Sequence, residues 1–300
     1  MRLSASDIRA LRVFRSVVEH GGFTGAQLAL SMSQSTISFQ INALEERLGF
    51  SLCQRGRRGF ELTDRGSAVY EYSHSLTSAL SVFERQLGEL RSRATGVLRV
   101  GIVDATATDA ELGIDDVIHQ FIGKASEVEL QITIGTPEQL IADIAKGGID
   151  FALSPRIKSL PGYTQSVFHH EMNSLYCGDR HPLFARKNVT KADVESSRVV
   201  VRPYANKNEL RHIPNATVGA NASNIEAQTM YILSGHFLGY LPDHVATVFT
   251  EAGRLRPLLV PEAQIRSPFV VVAPKHKKAS LAQRIFVQEL RKRTENNGAE

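Results

Sequence analysis

The sequence predicts a fold in two parts: an N-terminal winged helix-turn-helix with a long linker helix, then a larger C-terminal α/β unit of two lobes. Three observations predict it. Residues 23–48 read as two short helices meeting at a sharp turn, residues 67–92 carry an apolar heptad, and from residue 97 onward strand and helix patterns alternate. A chain of 300 residues has room for one small domain and one large one.

The second helix of the turn motif starts at Ser31 or Ser33, with Ser33 the better placed to cap its first-turn N–H groups, and it ends at Gly49. Ile37, Ile41, Leu44 and Leu48 are spaced four, three and four apart, so they share one inward side. The opposite side carries Gln34, Ser35, Thr36, Ser38, Phe39 and Asn42. A single helix fits the major groove of DNA, and short amide and hydroxyl side chains can read base edges there. An ordinary two-helix corner would also present a polar outer face, but the next stretch argues against it. Between Ser51 and Leu62, Arg55, Arg57 and Arg58 stand beside two glycines and are flanked by apolar residues. That pattern predicts a β-hairpin with a positive tip, suited to phosphate or to a narrow minor groove. Ahead of the motif, residues 6–20 form a helix with Ile8, Leu11, Phe14, Val17 and Val18 facing inward.

Leu11 and Phe14, Gly22-Phe23-Thr24, Ala26, Leu30, Ser33-Gln34, Ile37-Ser38, Ile41, Leu44-Glu45, Leu48-Gly49, Leu52, Arg55, Leu62-Thr63 and Gly66 follow one another without gaps. With these residues, stretch 7–66 resembles the winged helix-turn-helix of the LysR-type transcriptional regulators. Gln27 stands where a second Ala is usual, Ser35 where Pro is common, Phe39 where Arg is frequent and Cys53 where Phe is usual. Phe39 lies about 200° around the helix from Ile37, so it is expected on the surface. There it either touches a thymine methyl or packs against the wing.

Weaker landmarks carry the resemblance through the rest of the chain: Gly96 to Gly101, Gly148 to Leu153, His181-Pro182-Leu183, and Gly235 to Pro242, with Phe237 in place of a common glycine. The resemblance implies a DNA-binding domain at 1–66, a linker or dimerisation helix at 67–92 and a periplasmic-binding-protein-like effector domain at 93–300. Its lobes would span about 97–165 with 268–300, and about 166–267. It further implies a sequence-specific regulator of transcription whose DNA binding is modulated by a small-molecule co-inducer in the cleft between lobes, with no resident cofactor. The partners it implies are double-stranded DNA at an inverted-repeat promoter site, further copies of the chain as dimer or tetramer, and RNA polymerase.

Composition agrees without proving it. The chain is 42% hydrophobic and 22% charged, with net charge +4. Residues 1–95 hold 12 Arg and no Lys against 9 acidic residues, so most of the excess sits in the DNA-binding part. No apolar run reaches the roughly 18 residues of a membrane span, and no signal-peptide core opens the chain, so a cytoplasmic protein is expected.

In the linker, Val69, Leu76, Phe83 and Leu90 recur every seven residues, with Tyr72, Ala79, Leu80 and Leu87 in the same stripe. Pairing with a second copy explains that stripe better than packing on its own domain, and a twofold dimer would read two half-sites spaced by turns of DNA. Beyond the hinge at 91–96, strands are expected at 97–103, 128–134, 150–153, 166–177, 198–202, 215–219, 237–241 and 268–273. Helices are expected at 109–121, 136–146, 223–234, 242–252 and 280–292. Such alternation predicts a mostly parallel sheet covered on both faces.

Ligands of open α/β sheets sit beyond the carboxyl ends of strands. Thr106, Thr108, Gly135 and Thr136 follow strands of the first lobe, and Arg202, Tyr204 and Asn221 follow strands of the second. The threonines suit an anion at helix starts, although any one of them taken alone reads better as a plain N-cap, and Arg202 would supply the counter-charge or else be a surface residue. His169 and His170 point to opposite strand faces and cannot readily share a metal, so no metal site is expected. Two cysteines, Cys53 and Cys177, make no disulfide framework. A redox regulator sensing through Cys177 is the rival reading. An enzyme is not expected, because no nucleophile-base set, phosphate loop or metal spacing appears.

Overall fold

The computed structural model describes residues 3–56, 59–90 and 93–297, and the chain divides into two compact units, Met1–Glu84 and Arg85–Glu300. In the first, α1 (Ala5–Glu19), α2 (Phe23–Leu30) and α3 (Gln34–Leu48) surround one core of Phe14, Val17, Ala26, Ile37, Ile41 and Leu44. Ser4 caps α1 in a capping box with Asp7, and Arg47 near the end of α3 reaches Asp7 at 3.0 Å. One buried carboxylate thus caps α1 and ties the recognition helix to it. The wing is the antiparallel pair β1 (Cys53–Gly56) and β2 (Gly59–Leu62), anchored where Phe60 meets Phe23 edge-on at 6.0 Å. A side chain at Gly66 would collide with the Leu52 carbonyl, so the entry to α4 (Asp64–Leu90) admits only glycine there.

The stripe of α4 is not one continuous seam. Val69 and Leu76 pack on the core of their own domain, together with Tyr70, whereas Tyr72, Phe83 and Leu87 are exposed. Leu90 contributes no described side chain, so the last heptad position lies outside the described residues.

The second unit runs β3 (Gly96–Ile102), α5 (Ile114–Lys124), β4 (Val128–Ile134), α6 (Pro137–Lys146), β5 (Phe151–Pro155), β6 (Tyr163–Gly178), α7 (Lys191–Glu195) and β7 (Arg198–Val201). It continues through α8 (Asn206–Glu209), β8 (Thr217–Asn221), α9 (Ile225–Leu233), β9 (Gly239–Pro242), α10 (Asp243–Glu251), β10 (Leu255–Leu258), β11 (Ile265–Pro274) and α11 (Leu281–Asn297). Seven strands form one sheet in the order β10-β6-β11-β5-β3-β4, with β9 also on β6, and β7-β8 pair separately. The expectation of a mostly parallel sheet is corrected. Parallel strand pairs among the described residues are β4-β3-β5 and β7-β8, with a single parallel bridge between Val199 and Leu238, because the long strands β6 and β11 cross the unit antiparallel to their neighbours. Separate cores lie at the two ends, one around Leu98, Phe121, Phe151 and Phe286, the other around Leu175, Val199, Tyr240 and Leu258. They define the two lobes.

The helix expected from Asp109 begins only at Ile114. Asp109 Oδ1 accepts the N–H groups of Glu111 and Leu112 at 3.0 Å each, and Gly113 adopts φ 55°, so the chain turns twice before helical hydrogen bonding can start. This correction matters for the site, because it leaves Asp109 in a loop facing the second lobe.

Candidate functional site

On α3 the periodicity reads true. Ser33 is the N-cap and accepts from Thr36 N at 3.1 Å, while Ser31, in the left-handed region at φ 51°, ends α2. Gln34, Ser35, Thr36, Phe39 and Asn42 are exposed and Ser38 is half-buried, so the six form one outward surface. Phe39 is 75% exposed and therefore does not pack against the wing. Arg57 and Arg58 lie outside the described residues, as does the side chain of Arg55.

The residues expected to hold a ligand do not all converge. A cleft of about 390 Å³ is lined by Arg202 and Tyr204, and also by Glu138, Arg156, Lys158, Glu171, Asn173 and Tyr240. Thr106 is buried in a short 3-10 turn, Thr108 at the end of that turn is exposed and bonded to His244, and Asn221 ends β8, exposed. Gly135 and Thr136 precede Pro137 at the rim, and Thr136 is the N-cap of α6 in a capping box with Gln139. Its plain capping role is the one the geometry displays. Arg202 is committed to the protein: 8% exposed, it holds Glu209, itself 2% exposed, at 2.9 Å and reaches the Tyr204 hydroxyl at 3.4 Å. The ion pair with Glu209 raises the Arg202 pKa in spite of burial. Arg156 and Lys158 are the cleft cations without an ion pair among the described residues.

Two groups that sequence reasoning missed join the lobes. Asp104 accepts from the backbone N–H of Ile225 at the start of α9, at 2.6 Å. Beside it, Asp109, His169, Glu171 and His244 gather from three places in the chain, His169 and Glu171 both on β6. His169 Nε2 donates to Asp109 Oδ2 at 2.8 Å, and His244 lies 3.3 Å from Glu171 and 3.9 Å from Asp109. Burial would raise the Asp109 carboxyl, but the His169 hydrogen bond, the Leu112 N–H and the two imidazoles outweigh it and hold it below the ordinary aspartate range. His169 is buried and His170 exposed, so the strand alternation holds. No spacing motif announces the cluster, since its members lie 60 and 73 residues apart along the chain where they are hydrogen-bonded.

Cys177 is fully buried on β6, and burial pushes its thiol up to about 11, against a smaller opposing pull from Arg256. A sensor thiol needs thiolate character and access, and this one has neither.

A winged helix-turn-helix, a long helix and a two-lobed α/β unit together define a ligand-responsive DNA-binding regulator. The profile of the bacterial regulatory helix-turn-helix proteins of the lysR family matches residues 8–67, and that of the LysR substrate binding domain matches residues 91–295. The chain belongs to the LysR family of transcriptional regulators. It is 33% identical to the HTH-type transcriptional activator BauR of Pseudomonas aeruginosa, over 96% of this chain and 95% of that protein. It is 24% identical to CbbR of Xanthobacter flavus, over 90% and 83%. Among solved structures, full-length CbnR complexed with its target DNA has the same fold, with a TM-score of 0.66 at 20% identity, covering 95% of this chain and 99% of that one. CrgA of Neisseria meningitidis, a LysR-type transcriptional regulator, gives 0.55 at 20% identity, covering 99% and 100%. No described helix is long and apolar enough to cross a membrane.

Proposed function

We propose that the chain acts by binding rather than by catalysis: α3 and the wing read an inverted-repeat DNA site as a dimer or tetramer, and a small anionic effector in the interlobe cleft changes that binding. The observation that carries the effector reading is the pair Arg156 and Lys158, cations with no ion pair among the described residues, which line the same cleft as Asn173 and Tyr204. A carboxylate or similar anion suits such a wall. The exposed Tyr72, Phe83 and Leu87 of α4 support pairing of two copies through that helix. RNA polymerase is the further partner such a regulator would engage, and the cytoplasm is its place of action.

A thermal-shift screen of the purified protein against small carboxylates, aromatic acids, amino acids and oxidants tests the reading, because a ligand of the native state raises the melting temperature. The expected hit is an anion whose shift disappears in Arg156→Ala. A hit that survives both Arg156→Ala and Lys158→Ala would place the effector elsewhere.

A further inference from the structure

We propose that Asp109, Glu171 and His244 form a divalent transition-metal site, with zinc as its probe, that pins the two lobes together. Each residue offers one ligand atom, and the three atoms lie within 4.8 Å of one another. They come from three elements: the loop after β3, the crossing strand β6 and the first turn of α10.

Hydrogen bonding fixes what the imidazole presents. The Thr108 hydroxyl lies 2.9 Å from His244 Nδ1 and 3.2 Å from the Ala105 carbonyl, and when its proton goes to the carbonyl it accepts from Nδ1. In that arrangement Nδ1 carries a ring proton. Nε2 is then the ring nitrogen that faces Glu171 Oε1, 3.3 Å away, and Asp109 Oδ2, 3.9 Å away. Two carboxylates and an imidazole nitrogen converging at the junction of the lobes call for a positive charge among them, supplied by a metal ion or by a ring proton.

The dimensions suit a metal. Tetrahedral zinc holds imidazole nitrogen and carboxylate oxygen at about 2.0–2.2 Å, which sets neighbouring ligand atoms about 3.3–3.5 Å apart. The His244–Glu171 separation already has that value, and Asp109 Oδ2 needs to close on His244 by about half an ångström. The outer partners of a metal site are also in place. His169 donates to Asp109 Oδ2 and Asn173 to Glu171 Oε2, at 2.8 and 2.9 Å, and Thr108 orients the ring. One imidazole with two carboxylates favours zinc, manganese or iron over magnesium and calcium. Glu171 and Asn173 also line the cleft, so the fourth ligand position lies within reach of a bound anion. The site stands independently of the effector reading, because ion binding is measured without any effector.

The test uses untagged full-length protein stripped with chelator, then titrated with Zn²⁺, Mn²⁺ or Mg²⁺ by calorimetry and thermal shift. One zinc per chain with a rise in Tm is expected, with Mg²⁺ silent. His244→Gln and Glu171→Gln should each weaken zinc at least tenfold, Asn173→Ala about tenfold, and His170→Gln, on the opposite strand face, not at all. Circular dichroism confirms that each variant is folded. Should one fail to fold, the intense visible absorption of tetrahedral Co²⁺ in the unaltered protein decides in its place. The proposal is overturned if zinc binding is absent, if it survives in folded His244→Gln, or if the metal-free protein instead gains stability only on acidification through the histidine range. The last result would make a proton on His244 the cation.

Discussion

The carboxylate of Asp104, on the loop after β3, accepts a 2.6 Å hydrogen bond from the backbone N–H of Ile225, the first residue of α9. A side chain of one lobe thus occupies the helix N-terminus of the other, where partial positive charge draws anions. The start of α9, just beyond Asn221, is already filled by the chain itself.

Asp104→Ala should therefore loosen the contact between lobes. Loss of a charge-assisted hydrogen bond at a helix start costs about 1–2 kcal/mol, read as a lower urea midpoint for the effector domain. An unchanged midpoint would mean that the contact contributes nothing to lobe closure.

Arg202→Ala should behave as a core lesion. Glu209, only 2% exposed, would be left with no cation beside it, and breaking a buried pair by removing one partner costs about 3–5 kcal/mol. The expected result is a large fall in Tm with and without ligand. A variant of normal Tm that had lost only its ligand response would return Arg202 to the effector-binding role.

What the sequence disclosed and what it hid divides along physical lines. The inner face of α3 was legible because Ile37, Ile41 and Leu44 repeat with the helix period, and the Ser33 and Thr136 caps were legible because capping acts within three residues. Strand direction was not. Alternating patterns do not say that β6 and β11 run the length of the unit, and their pairing turns most of the sheet antiparallel. Nor was the partition of the α4 stripe, because Val69 and Leu76 find partners on their own domain only once it is folded. The Asp109, His169, Glu171 and His244 cluster was out of reach for the same reason: its contacts join distant segments, and the adjacent His169 and His170 drew attention to the wrong pairing.

Cys177 should not react. With its thiol pushed up to about 11, about one molecule in a thousand is thiolate at pH 8, and the sulfur has no exposed surface. Native protein treated with a thiol reagent should be modified at Cys53 at most, and denaturant should release Cys177. Rapid native labelling of Cys177, or loss of an oxidant response in Cys177→Ser, would revive the redox reading.

Phe39 offers a direct test of how the recognition helix reads DNA. Its side chain is 75% exposed, so Phe39→Ala should shift stability by less than about 0.5 kcal/mol. On DNA the same truncation should matter at one position. An aromatic ring against a thymine methyl contributes to discrimination of about 1–3 kcal/mol per base at most, so selection from randomised duplexes should show a relaxed preference at one base pair per half-site. Arg57→Ala at the wing should do the opposite, weakening all sequences alike and flattening the dependence of log K on log salt by about 0.9 per lost phosphate contact. Uniform weakening by both variants would mean that Phe39 acts through the backbone or the fold, and that base recognition rests on Gln34, Thr36 and Asn42 instead.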